Sequence, residues 1–473
     1  MTNNTHSESL DLNVLLANQQ QAYRANPAAD LNSRILALKN LKQAVLTNQK
    51  ALTDAMATDF GHRSENDSII GDIMPIANAV NYTVKQLKKW MKPSRRHAGM
   101  LLSPAKVSVH YQPLGVVGII VPWNFPIMLS LGPLITALAA GNRAMLKMSE
   151  FTPATNKVLG EILAGIFDTN QVAIVEGEAD VAAAFSSLPF DHIIFTGSTA
   201  VGKHVMRAAA NNLTPVTLEL GGKSPVIIAD DIDIKTAVER MIYGKCLNAG
   251  QICVAPDYVL CPESKVDAFI SEYCAQFQKM YQQSNDNDDY SSIIDDRQYS
   301  RLADWLEDAE TRGATIVSAD GSKPDQVKRR IATHLITNVS DDMALMTGEI
   351  FGPLLPVIPY QSLDSAIDYI NSRPRPLALY LMSHNTQTQN TVLNQTHSGG
   401  VCINETVFHV AADDAPFGGI GPSGMGHYHG KEGFLALSKA KTVLKRGKTN
   451  TGKLVFPPYG TGIQKLMFKL FLR

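Results

Sequence analysis

The sequence predicts an α/β protein built on parallel, doubly wound sheet and divided into two or three domains. Two observations carry this. Between Val116 and Leu218, short apolar runs alternate with longer stretches of helical periodicity, the pattern of strands joined by crossover helices. A length of 473 residues also exceeds what one compact core accommodates.

Taken in order, residues 1–10 are polar and read as a mobile lead-in. From Leu31 to Phe60 the apolar residues Leu31, Ile35, Leu38, Leu41, Val45 and Leu52 recur at helical spacing, and Ile69 to Met91 reads similarly; both are packing helices. Between Pro104 and Pro113, the alternation of Val107, Val109 and Tyr111 with polar neighbours predicts a strand or hairpin. Strands follow at Val116–Val121, Ala144–Lys147, Val172–Val175, His192–Phe195 and Val216–Leu218, with helices over Leu129–Ala140, Thr155–Ile166 and Val201–Ala210. A second strand–helix series runs from Pro225–Ala229 through Gly352–Tyr360 to about Cys402, which puts the main boundary at Gly221-Gly222. After Phe456-Pro457-Pro458, Ile463, Leu466, Met467, Leu470 and Phe471 share one helical face, with Lys465, Lys469 and Arg473 elsewhere. This amphipathic, basic helix is expected to pack on its own protein in preference to resting on a membrane.

Composition narrows the partners. The 43 Lys and Arg residues nearly balance the 44 Asp and Glu residues, leaving no electrostatic footprint for nucleic acid. No apolar run approaches the ~20 residues that span a bilayer; the longest candidate is cut by Pro122, Trp123-Asn124 and Pro126. Cys246, Cys253, Cys261, Cys274 and Cys402 are odd in number and lack C-x-x-C spacing, against a disulfide framework or structural zinc. No His, Cys, Asp and Glu spacing forms a metal set either. The N-terminal stretch has no basic region followed by an apolar one, so a reducing compartment, the cytoplasm, is the expectation.

Three residues draw attention as chemistry. Cys253 lies in Gly250-Gln251-Ile252-Cys253; a lone cysteine is more often a packing residue than a nucleophile. Glu219 ends an apolar strand just before Gly221-Gly222. Burial there would raise its pKa toward general-base work, and a helix cap or salt bridge is the alternative. Asn124, in Pro122-Trp123-Asn124-Phe125-Pro126, could donate to an oxyanion or simply form a turn between two prolines.

Together with other segments, these residues resemble the aldehyde dehydrogenase superfamily in order along nearly the whole chain. The supporting motifs are Leu146-Lys147-Met148-Ser149-Glu150, Phe195-Thr196-Gly197-Ser198-Thr199, Leu218-Glu219-Leu220-Gly221-Gly222, Glu349-Ile350-Phe351-Gly352-Pro353 and Pro416-Phe417-Gly418-Gly419-Ile420-Gly421 through Gly426. Cys253-Val254-Ala255-Pro256-Asp257-Tyr258-Val259 and Ser423 through Gly430 resemble the class 3 and fatty aldehyde branch, bacterial coniferyl aldehyde dehydrogenases in particular.

The resemblance implies a Rossmann-type NAD(P)-binding domain over residues 1–100 and 114–221, and a catalytic domain over 222–421. It also implies oligomerisation strands at 101–113 and 436–447, with 448–473 as the amphipathic tail. It implies oxidation of an apolar aldehyde, coniferyl-type or medium- to long-chain aliphatic, to its acid, by a homodimer. Cys253 would be the nucleophile, Glu219 the base and Asn124 an oxyanion donor. Trp123, Lys147, Glu150, Gly197, Ser198, Glu349 and Phe351 would meet the cofactor, which is NAD with NADP as the alternative; Ile252 and Val254 would flank the substrate. Met148 departs from the proline common in relatives, and Gly197 to Gly202 is not a G-x-G-x-x-G fingerprint. A CoA-acylating enzyme, a thiol hydrolase or a structural protein on the same fold are the alternatives. Glu219 argues against the first, and the cofactor motifs against the others.

Overall fold

The computed structural model describes residues 11–448 and 450–472; the lead-in expected at residues 1–10 lies outside them. Helices wrap three sheets. The first has six strands in the spatial order Gly424–Met425, Val216–Glu219, His192–Thr196, Val116–Ile120, Arg143–Lys147, Val172–Val175. All neighbours are parallel except the Gly424–Met425 pair. Val116–Ile120 and His192–Thr196 are buried at every residue, which is why they read as unbroken apolar runs.

The chain extends this sheet to one side of Val116–Ile120 and then returns to extend it to the other. The reversal falls between Val116–Ile120 and His192–Thr196. Loops leaving the carboxyl ends of two such strands diverge and open a crevice, where ligands of doubly wound sheets bind.

The second sheet orders Thr315–Ser318, His334–Thr337, Leu354–Tyr360, Tyr258–Pro262, Pro225–Ile228, Ala378–Met382 and Gly400–Ile403. It is parallel apart from its first pair. A small antiparallel sheet joins Ser94–Arg96, Lys106–Pro113 and Ser438–Lys445.

Some expectations need correction. The strand or hairpin expected at Pro104–Pro113 is met by the strand Lys106–Pro113, but with partners on both sides, one of them the unexpected strand Ser94–Arg96. Residues 94–96 therefore join the small sheet and not the unit assigned to 1–100; three residues with two arginines carry no apolar pattern to reveal it. The periodic stretch from Leu31 to Phe60 is two helices, Leu31–Thr47 and Gln49–Phe60. Asn48 separates them, its amide donating to the Ala44 carbonyl at 2.8 Å and closing the first. Ile69–Ile73 is a π turn leading into Met74–Trp90.

A further helix, Leu12–Ala25, escaped the apolar pattern because its inward face includes Gln19. That side chain is buried and donates to the carbonyls of Ala144 and Thr169. The C-terminal helix forms over Gly462–Phe471, yet its apolar face does not pack on its own protein: Ile463 and Leu466 remain 59% and 66% exposed. Gln464 is what it buries, through a bond to the Phe456 carbonyl. Among the described residues, no helix is long and apolar enough to cross a membrane.

Candidate active site

Asn124 follows the strand Val116–Ile120, and Gly197 and Ser198 follow His192–Thr196. These are the two loops that flank the reversal point of the first sheet. Glu219 ends the next strand, Val216–Glu219. Cys253 arrives from the second sheet, on the loop between helix Ile234–Cys246 and strand Tyr258–Pro262.

That loop is held in a costly conformation. Asn248 and Ala249 have φ near 50°, and Gly250 has φ 74°. For Ala249 this left-handed region costs on the order of 1–3 kcal/mol and persists only where surroundings enforce it. The enforcement is visible. Asn248 N–H donates to Asp67 at 3.0 Å, and its amide reaches the carbonyls of Asn124 and Gln251. Gln251 donates to the Asn248 and Ser292 carbonyls and accepts from Ile294 N–H. At Gly250 a side chain would not fit, since a Cβ would stand 2.5 Å from the Gly352 carbonyl oxygen.

The Asn124 loop is anchored to the same network. Its amide donates to the Gln251 carbonyl at 3.1 Å, which leaves the second N–H of the pair for the cleft. Arg63, buried between the rings of Phe60 and Phe125, donates to the Asn124 carbonyl at 2.7 Å and pairs with Asp72 at 2.8 Å. Asp72 in turn accepts from Ile127 and Met128 N–H. Arg63→Met is expected to destabilise the fold by about 3–5 kcal/mol, because it strands a buried carboxylate. Chemical denaturation measures this, and a loss below about 1 kcal/mol would contradict it.

Cys253 stands where two cavities meet. One is lined by Trp123, Asn124, Gly197, Ser198, Glu219, Glu349 and Phe351, together with Gln298, Arg301 and Trp305. The other is apolar, walled by Phe125, Met128, Ile252, Val254, Phe408, Phe417, Tyr428 and His429 among others. Cys253 and Leu129 belong to both linings. Ile252 and Val254, expected beside the substrate, line the second cavity, whereas of the residues expected at the cofactor Lys147 and Glu150 lie outside the first cavity's walls. Lys147 is buried, bonded to the Met148 carbonyl and 3.7 Å from Glu150.

Burial sets the electrostatics. Both carboxyl oxygens of Glu219 are buried without a partner, and desolvation pushes its pKa well up. Glu349 is pushed up to about 8, by burial first and then by the nearby Asp257. The Cys253 thiol is pushed up to about 12 by burial, with Glu349 and Glu219 adding to it. His429 is held neutral, its pKa lowered to about 4 by burial, and stacks on Phe417 at 5.4 Å.

Glu349 owes its place to Asp257, which accepts from Ile350 N–H at 2.8 Å and pairs with Lys223. Arg301 donates to the Ile350 carbonyl from the other side. Gly221 lets the carboxylate approach; a Cβ there would fall 2.0 Å from Glu349 Oε2. Trp123 meets Phe351 edge-on at 5.2 Å. Among the described residues no group of His, Cys, Asp and Glu could hold a metal ion.

Gln298, Arg301 and Trp305 were not singled out in the sequence. They come from one helix, Asp296–Thr311, whose residues meet the cleft only through tertiary packing. Phe408, Phe417, Tyr428 and His429 arrive from a late irregular segment and have no periodic signal of their own.

The aldehyde dehydrogenase family model matches residues 2–443. The chain is 54% identical over 471 residues to a probable coniferyl aldehyde dehydrogenase of Pseudomonas aeruginosa, covering 99% of this chain and 98% of that one. A substrate-bound Staphylococcus aureus AldH structure superposes with a TM-score of 0.92 at 38% identity, over 97% of this chain and 99% of that one. A Mycobacterium tuberculosis aldehyde dehydrogenase complexed with NAD+ gives 0.83 at 28% identity, over 92% and 90% of the two chains. Matched along nearly its whole length, with Cys253 at the junction of two cavities and Glu219 and Asn124 in the wall of one, the chain belongs to the aldehyde dehydrogenase family.

Proposed function

We propose that this protein oxidises an apolar aldehyde, of the coniferyl type or medium- to long-chain aliphatic, to its carboxylic acid through a thioester on Cys253, with NAD as acceptor and NADP as the alternative. The observation that carries the reading is the position of Cys253 at the junction of two cavities, one carrying Asn124, Glu219, Arg301 and Glu349 in its wall and the other apolar.

An aldehyde carbon releases hydride only once it carries an oxyanion, so a nucleophile must add first. Cys253 Sγ adds as the thiolate, its proton having passed to water, and the oxyanion is met by the Asn124 amide and the Cys253 backbone N–H. Asn124 is pre-positioned by Gln251, Asn248 and Arg63, so no reorganisation is needed when charge develops. Asn124→Ala is therefore expected to lower kcat by ~10²–10³-fold with the fold intact, the effect of losing one oxyanion donor. Steady-state kinetics tests this, and a change below about threefold would remove Asn124 from the role.

The first cavity fits a dinucleotide, with aromatic and apolar walls interrupted by a few polar groups. Glu349 Oε1 is buried without a partner, which suits a ribose hydroxyl. Gly197 and Ser198 stand at the start of helix Thr199–Ala210, where the backbone N–H groups and the helix dipole favour a pyrophosphate. Phe351 and Trp123 border the nicotinamide end, and Lys147 with Glu150 would hold the adenosine ribose. Glu150 can accept from a 2′-hydroxyl and repels a 2′-phosphate, which favours NAD. When bound, the nicotinamide supplies the hydride acceptor, and the hemithioacetal on Cys253 becomes a thioester. Glu219, in its carboxylate form, then takes a proton from water as that water attacks the acyl carbon, and the C–S bond breaks to release the acid and the Cys253 thiolate.

The raised pKa of Glu219 gives a sign to the pH dependence. Its base form grows as pH rises, so turnover limited by hydrolysis rises with pH and falls toward acid. The thiol follows the same direction. Iodoacetamide labelling of Cys253 is slow at neutral pH and accelerates with pH. Near pH 9, Glu349, with its pKa of about 8, is ionised and opposes the thiolate, so Glu349→Gln speeds labelling severalfold. Slower labelling in that variant would contradict the assignment.

The walls of the second cavity support an apolar substrate, and the Pseudomonas aeruginosa relative is named for coniferyl aldehyde. We also propose a homodimer in the cytoplasm. Support comes from the outer edge of strand Ser438–Lys445, which carries unpaired backbone groups, and from the free cysteines. The reading is tested by following NADH or NADPH formation with coniferyl aldehyde, octanal and hexadecanal, each with NAD or NADP. Reduction by one or more pairs supports it, and no reduction with any pair overturns it.

A further inference from the structure

The C-terminal segment has a composition that the active site does not use. From Gly433 to Arg473 the sequence contains seven lysines, two arginines and no aspartate or glutamate. The whole chain carries a formal charge of −1, so this positive segment is balanced by an acidic remainder. The segment ends in the helix Gly462–Phe471, on which Ile463, Leu466, Phe468, Leu470 and Phe471 lie between 41% and 66% exposed. Phe456, just before it, is 53% exposed.

The helix is well formed despite this exposure. Thr461 and Gln464 close a reciprocal capping box, and Gln464 also ties the helix to Gly460 and to the Phe456 carbonyl. It is therefore built and anchored by polar bonds to its own approach segment, while its apolar side chains face outward. At 100° per residue, Leu466, Leu470 and Ile463 fall on one face. Lys465 and Lys469, four residues apart, form a stripe beside it.

Exposed apolar patches of this kind mark interaction surfaces. A two-fold contact between two such tails would bring like charges together. An anionic bilayer meets both features: apolar side chains enter the boundary between headgroups and acyl chains, and the lysines face the negative surface. We propose that residues 453–472 dock this protein on the surface of an anionic phospholipid membrane, lying in the interface without crossing it. Charge complementarity and the apolar face of a pre-formed helix carry this inference, which is independent of the substrate assignment.

The test is co-sedimentation of the full-length protein with phosphatidylcholine vesicles made with or without phosphatidylglycerol, at low and high salt. At low salt the anionic vesicles are expected to bind at least about tenfold more protein than the neutral ones, and high salt removes most of the difference. Lys465→Glu/Lys469→Glu should abolish the preference for anionic vesicles, and Leu466→Glu/Leu470→Glu should abolish binding. Both variants should oxidise a water-soluble aldehyde as the wild type does, which verifies their folding. Light scattering reads the oligomeric state in parallel. No binding above the vesicle-free control, or equal binding by wild type and variants, overturns the proposal. So does Leu466→Glu/Leu470→Glu splitting the oligomer with vesicle binding unchanged, which would assign the face to a second copy.

Discussion

Cys253→Ala is expected to stop NADH or NADPH formation with every aldehyde, by more than about 10⁴-fold, because the covalent route has no other start. Cys246 is the nearest rival in sequence and offers no rescue. It lies in the hydrophobic core, its thiol facing Tyr273 and Thr333, and burial pushes its pKa up to about 12. Cys253 has the same upward shift but keeps a place in both cavity walls. Access, and not acidity, separates the two. The substitution removes one sulfur from a partly exposed site, so the melting temperature should hardly move. An alanine variant retaining more than a few per cent of activity would contradict the nucleophile assignment.

Glu219→Gln is expected to separate the two halves of the reaction. In the proposed route, addition and hydride loss do not need the carboxylate, whereas water attack does. A first turnover should therefore give a burst of about one NADH per active site, followed by steady turnover slower by ~10²–10⁴-fold, the usual contribution of a general base. The fold should tolerate the change, since both Glu219 oxygens are buried without partners and glutamine removes a charge that burial opposes. Rapid-mixing absorbance reads the burst. A variant slow from the first turnover, with no burst, would place Glu219 in the addition step instead.

How much of this was legible in the sequence depended on the kind of signal. The parallel strands could be read because burial on both faces leaves unbroken apolar runs, as at Val116–Ile120. Gln19 hid a helix by placing a polar group where an apolar one was expected; its burial is balanced by two backbone carbonyls that no local pattern displays. Ser94–Arg96 hid a strand because its pairing, and not its composition, makes it one.

The site divides in the same way. Cys253, Glu219 and Asn124 lie in short motifs, so a resemblance could find them. Arg63 and Asp72 lie far upstream and reach the Asn124 loop only through a buried ion pair and backbone bonds. Arg301 and Trp305 enter the cleft by the docking of one helix. The exposed tail departs from expectation for a related reason: helical periodicity announces an apolar face but not what covers it.

The measurement that tests the central claim most directly is intact-protein and peptide mass spectrometry of Glu219→Gln, mixed with NAD and an aldehyde that the wild type oxidises, and quenched in acid after the burst. The account predicts an added mass equal to the acyl group, located on the peptide containing Cys253 and removed by hydroxylamine. A burst of NADH with no acyl group on that peptide, or with the acyl group on another residue, would contradict it.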